Sequence, residues 1–201
     1  MNGTWMLIVV ATQAMAVLGT LLSPYVGNHE LLIIFSLGFF LLGGMFYILF
    51  FSLILYRFLF FHFDPEELTP PYWINMGAVA ITTLAGSLLI LHAGEWSFLQ
   101  EILPFLKGFT LLFWATATWW IPLLLILGFW RHLVRQVPLR YNVQYWSMVF
   151  PLGMYAVATF RLIEALDWQF LLIVPLVFGF FAIFAWALAF AGLARQLTGA
   201  R

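Results

Sequence analysis

The side chains able to do acid–base, nucleophilic or metal chemistry are sparse in this sequence, and they stand almost wholly at the ends of long apolar runs. Eight Asp and Glu, eight Lys and Arg and four His are present, and cysteine is absent. Without cysteine there are no disulfides, thiolate nucleophiles or thiolate metal sites. Neither a His-Glu zinc pattern nor a serine with a candidate base nearby occurs within the apolar runs, so an intramembrane enzyme is a distant reading and no catalytic residue, cofactor or metal is assigned. What remains is non-covalent. Phe150 stands beside a helix-breaking Pro151, with Gly153 just after; Arg161 follows; and hydroxyls and amides are scattered at Thr12, Gln13, Asn75, Thr82, Thr83, Ser147 and Thr159. Hydroxyls and amides can solvate a passing anion weakly, and weak binding lets it leave again, which is the chemistry of a permeation path.

Each of these groups has a second, purely structural reading. Proline inside a helix removes an amide donor and clashes with the preceding turn, and Gly153 loosens that turn further. The resulting kink can swing Phe150 into a lumen, or it can be an ordinary packing kink with a core phenylalanine. Arg161 lies eleven residues after Phe150, and at 3.6 residues per turn it returns to nearly the same helix face. A cation there concentrates anions at the mouth of a low-dielectric vestibule; the alternative is an interfacial arginine paired with Glu164 at i+3 or with Asp167. The hydroxyls and amides equally suit hydrogen bonds between helices. No Asp, Glu, Lys, Arg or His falls in mid-membrane, where proton relays and ion-coupled pumps place them. Passive, channel-like conduction therefore fits better than proton coupling.

The elements that must position these residues are set by composition. The chain is 65% hydrophobic and 8% charged, against about 25% charged in soluble domains. Asp, Glu, Lys and Arg are missing from 1–29, 31–56, 68–94, 108–130, 141–160 and 168–194, and each stretch can span a bilayer. Strand alternation is lacking, and only helices and closed barrels satisfy the backbone in lipid, so the fold class is all-α integral membrane. Six transmembrane helices are predicted near 5–22, 31–62, 72–92, 104–131, 142–165 and 169–194, forming one transmembrane domain over 1–201. His29 is expected in a loop, His92 near a helix end and Lys107 as a snorkelling anchor. Trp114, Trp119 and Trp120, with Pro122, are read as packing rather than as a site. The acidic segment Asp64 to Pro71 is read as a solvated connector, with Asp64-Pro65 ending one helix and Pro70-Pro71 opening the next.

Arg57, Arg131, Arg135, Arg140, Arg195 and Arg201 gather on the side of the N-terminus, against Lys107 and Arg161 opposite. That asymmetry predicts cytoplasmic termini in a multi-pass protein of the plasma (inner) membrane. An internal repeat is also visible: Trp5-Met6-Leu7-Ile8-Val9, Trp73-Ile74-Asn75-Met76-Gly77 and Trp146-Ser147-Met148-Val149-Phe150 each begin a helix at the same face, one hairpin apart. Parallel repeats about an axis along the membrane normal are implied. The first, third and fifth helices then form an equivalent inner set, with the second, fourth and sixth behind them. Ala182, Ala185 and Ala189 in the last helix offer small surfaces for close helix approach.

The run Pro71-Tyr72-Trp73-Ile74-Asn75-Met76-Gly77-Ala78-Val79-Ala80 and the run Tyr145-Trp146-Ser147-Met148-Val149-Phe150-Pro151-Leu152-Gly153-Met154-Tyr155-Ala156 resemble the tellurite-resistance/C4-dicarboxylate transporter family, which includes the slow-type anion channels of plants. The resemblance runs along nearly the whole chain. It implies a fold of five hairpins around a pseudo-fivefold pore, odd helices inside, of which this chain matches the last three. Phe150 matches the phenylalanine that lies across the pore as a gate, and Thr12, Asn75 and Gly77 fall on helices that would line it. The implied partners are small anions or dicarboxylates and the lipid bilayer, with no nucleic acid, in a homotrimer with one pore per subunit. Two hairpins are missing at the N-terminus. A truncated or mis-started chain is the expectation, and staves supplied by another chain are the alternative; a non-transporting membrane remnant or scaffold is the competing function.

Overall fold

Runs of apolar residues with internally satisfied backbones become long helices in the computed structural model, which describes residues 3–62, 64–139 and 141–199, the side chain of Glu95 excepted. Arg140 and Arg201 from the charge asymmetry lie outside the described residues. The chain is an all-helical integral membrane protein with six helices long and apolar enough to cross a bilayer. α1 is Leu7–Leu22, entered through a 3-10 turn at Gly3–Met6, and α2 is His29–Phe60. α3 is Ile74–Leu91, entered through a 3-10 turn at Pro70–Trp73. A short α4, Ser97–Glu101, precedes α5, Leu103–Phe129, which runs into a π-helical turn at Trp130–Val134. α6 is Trp146–Leu166 and α7 is Ile173–Leu197.

Two details differ from the sequence expectation. His29 is the first residue of α2 rather than part of a loop, because the break before it is short: Ser23–Tyr25 closes α1 as a 3-10 turn built on Pro24, leaving Val26 to Asn28 to reverse the chain. α4 was not foreseen. Its five residues contain only one buried side chain, Leu99, too few to leave a periodic signal.

The hairpins α1–α2, α3–α5 and α6–α7 each pack internally, and α3 lies between α1 and α6. That is the inner row of first, third and fifth spans with their partners behind. Small residues set the close approaches, as membrane helix packing requires. A side chain on Gly19 would strike Ser36, one on Gly43 would strike the Gln13 amide, and one on Gly86 would strike Thr110 and Phe40. The Gln13 amide donates across the α1–α2 contact to the Phe40 carbonyl at 3.0 Å. Aromatic groups fasten the outer helices: Trp120 Nε1 donates to Tyr47 Oη at 2.7 Å, joining α5 to α2, and Trp114 Nε1 donates to Thr159 Oγ1 at 3.0 Å, joining α5 to α6. Trp119 is half-exposed.

The connector after α2 is tied down at the basic end of the bundle. Asp64 accepts from the Glu66 backbone N–H, Arg57 pairs with Glu67, and Arg131 at the end of α5 donates to the Leu68 carbonyl.

Candidate permeation surface

α3 builds the centre of the site. Every residue from Ile74 to Ile90 is buried, yet the burial is not uniform around the helix. Asn75, Thr82, Thr83 and Ser87 have no exposure at all, whereas Ile74, Ile81, Leu84 and Leu88 keep 5%, 5%, 8% and 3%. Those four fall on one helical stripe that Gly77 shares, at the i, i+3, i+4, i+7 spacing of one face, and Ile90, at the end of the helix, keeps 7% on another side. The residue facing the least covered side of α3 is thus always apolar.

Phe150 and Pro151 of α6 meet α3 on that stripe. A Cβ placed on Gly77 would stand 3.1 Å from Phe150 Cε1 and 2.9 Å from Pro151 Cγ, so the absent side chain is the seat of the aromatic ring. Phe150 remains 38% exposed although it rests on a fully packed helix. Its open side continues along α6 through the exposed Val157, Phe160, Arg161 and Glu164. α6 is helical from Trp146 to Leu166 with Pro151 inside it, so the proline removes one amide donor without ending the helix. Gly153 points elsewhere: a Cβ there would meet only Ala182 of α7, at 3.8 Å. Phe150, Pro151 and Gly77 are brought together; Gly153 belongs to the α6–α7 contact.

The polar candidates are drawn into the helices. Thr12 Oγ1 donates to the Ile8 carbonyl at 2.8 Å, Thr82 to Ala78 at 2.8 Å, Thr83 to Val79 at 3.0 Å and Ser87 to Thr83 at 2.8 Å. Asn75 Nδ2 donates to the Tyr72 carbonyl at 2.8 Å. Ser147 Oγ donates to Gln144 at 2.6 Å, and Thr159 receives the Trp114 indole. Hydroxyls bonded to the carbonyl one turn back remain helix-compatible while hiding their polarity from lipid. Thr12 and Ser147, both half-buried, are the members of this set that retain access to the surroundings.

Arg161 pairs with Glu164 at 2.7 Å, and both side chains remain substantially exposed. Its guanidinium also lies 6.0 Å from the Phe160 ring centroid. An exposed i, i+3 pair is worth little in stability, and it leaves the cation at the end of the same open stripe as Phe150. Lys107, at the start of α5, is exposed at the same end. Sequence reasoning found the phenylalanine and the arginine but not the apolar companions Ile81, Leu84 and Val157. The alternation of small and large residues along α3 was the available signal.

Comparison with known proteins places the chain in the class of membrane transport proteins. The chain belongs to the voltage-dependent anion channel (SLAC1) family, whose model matches residues 1–194. A membrane protein of Mycobacterium tuberculosis (strain H37Rv) is 37% identical over 147 residues, 73% of this chain and 74% of its own. Two proteins of Methanocaldococcus jannaschii named as transporters are each 27% identical. One matches over 160 residues, 79% of this chain and 45% of its own; the other over 191 residues, 93% and 53%. The chain thus spans about half the length of these two transporters. No solved structure gives a significant match.

Proposed function

We propose that this chain carries one wall of a passive pathway for small anions or C4-dicarboxylates, with Phe150 as its gate and Arg161 at one mouth. The observation that carries this reading is the seat of Phe150 on Gly77. A bulky ring lies exposed over an otherwise apolar helix stripe, where its rotation alters what can pass along the surface without disturbing buried contacts. The apolar stripe would bind an anion weakly, and Arg161 at its end would raise the local anion concentration. The described residues supply no carboxylate, histidine or lysine along the stripe between Gly77 and Phe160, which suits conduction down a gradient rather than proton coupling. The gathering of Arg57, Arg131, Arg135 and Arg195 at one end supports cytoplasmic termini, in a protein that this reading assigns to the plasma membrane.

The stripe is one-sided, since Phe150, Val157 and Phe160 are exposed, so a closed lumen needs further helices. Another chain or additional hairpins would supply them, and a trimer of such units is the form the family resemblance implies. The same openness supports the competing reading, a non-transporting membrane remnant or scaffold. Anion flux into proteoliposomes decides between them. Wild-type flux above that of protein-free vesicles, raised severalfold by Phe150→Ala, is the expected result. Unchanged flux in a folded Phe150→Ala protein removes the gate, and the absence of any wild-type flux favours the scaffold.

A further inference from the structure

Away from the permeation stripe, a cavity of about 480 Å³ lies between α5 and α7 at the basic end of the bundle. Its floor is the connector Leu68 to Trp73 and the start of α6, and its walls include Leu127 of α5, Arg131 of the π-helical turn after it, and Ala189 and Arg195 of α7. Among the described residues, the lining holds two arginines, His132 and three tyrosines, and no aspartate or glutamate. The charge is therefore uncompensated within the cavity itself. Arg131 donates one N–H to the Leu68 carbonyl, while its Nε is buried with no acceptor. His132 uses Nδ1 toward the Val137 carbonyl at 2.8 Å, leaving Nε2 for another partner. Tyr141 lies flat on α7, its ring occupying the space that a side chain at Gly192 would fill.

The polarity is graded along the helix axes. From Leu124 to Arg131 is seven residues, and from Ala185 to Arg195 is ten, all lining the same cavity. At 1.5 Å per residue those spans are about 10 and 15 Å. The basic groups therefore sit at the membrane surface, and the leucines, methionine and alanines reach down into the depth of the acyl chains. A free anion would use only the upper part. An amphiphile with an anionic head uses all of it, and a buried arginine N–H without an acceptor is the group that a phosphodiester oxygen satisfies.

The geometry points to a binding site for an anionic phospholipid, its phosphate held by Arg131 and Arg195 and one acyl chain laid against Leu124, Leu127 and Leu188. Basic pockets between transmembrane helices are a known means of holding anionic headgroups. This inference is independent of whether the chain conducts.

The test is lipid retention by the intact protein, released from nanodiscs of mixed phosphatidylglycerol and phosphatidylcholine and weighed by native mass spectrometry. Phosphatidylglycerol should be retained preferentially. Arg195→Gln should reduce that retention about fivefold, and Arg131→Gln at least as much. Arg195 carries the weight of the test because its guanidinium holds no other described residue, so its loss leaves the fold intact. Arg161→Gln and Lys107→Gln, at the opposite end, should leave phosphatidylglycerol retention as in the wild type. Three results overturn the assignment: equal retention of the two lipids, equal loss in Arg161→Gln and Arg195→Gln, or displacement of bound lipid by millimolar inorganic phosphate alone. A second copy of the chain in the cleft, seen as lipid-excluding cross-links from Leu188→Cys, overturns it as well.

Discussion

α3 and α7 are both membrane-spanning helices, and their burial is opposite. All of Ile74 to Ile90 is buried in α3, whereas in α7 only Pro175, Ala185 and Ala189 are. The buried helix is the less apolar of the two, with mean hydropathy 1.9 against 2.6. In water the ordering would be reversed. In a bilayer, lipid solvates phenylalanine and leucine as well as protein does, so apolarity gives no reason to face inward. What earns a central position is the ability to pack closely: Gly77, Ala78, Ala80, Ala85 and Gly86 admit neighbouring helices, and Thr82, Thr83 and Ser87 bond their own backbone. α7 shows the other face of the rule, with Phe180, Phe181, Phe184, Trp186 and Phe190 turned outward.

The contrast can be broken by matched substitutions read as unfolding free energies in detergent or bilayer. Leu89→Ala in α3, where the side chain is fully buried, should cost about 2–5 kcal/mol. Leu176→Ala in α7, 70% exposed, should stay within about 0.5 kcal/mol; equal costs would dissolve the distinction. Gly77→Val should lose about 1–3 kcal/mol through overpacking against Pro151 and Phe150, while Gly179→Val, with open space around it, should be neutral. Trp120→Phe removes the 2.7 Å bond to Tyr47 and should cost about 1–2 kcal/mol. The exposed Trp119→Phe is its control. Arg161→Gln should change stability by less than about 1 kcal/mol, and its effect should instead be lower anion flux at low ionic strength, fading as salt is added.

The spans were legible because charges cannot be left in hydrocarbon: the uncharged runs delimit all six helices to within a few residues. Inner and outer rows were legible through the tryptophan repeat, since Trp5, Trp73 and Trp146 mark the starts of α1, α3 and α6. Which helix sits at the centre was not read. Both neighbours of a membrane helix, lipid and protein, are apolar, so hydrophobic periodicity is nearly silent about facing. Phe150 and Gly77 were each singled out along the chain, but their contact depends on the rotation of α6 about its axis. The cavity was invisible for a related reason. Arg131 and Arg195 counted only as topology signals, and that they line one cavity depends on how α5 and α7 pack.

The scarcity of partners for α7 also has a meaning in time. A chain made from its N-terminus delivers α7 to the membrane after the other five spans, and by then α3 has already met α1, α2, α5 and α6. The late arrival docks chiefly on α6, a hairpin closure between neighbours in sequence. A chain that ends at Leu166 and carries Ala80→Cys in α3, fully buried in the whole chain, should therefore already protect that thiol from water-soluble alkylating reagents. Insertion of α7 adds the outer wall of the basic cavity rather than the interior of the bundle.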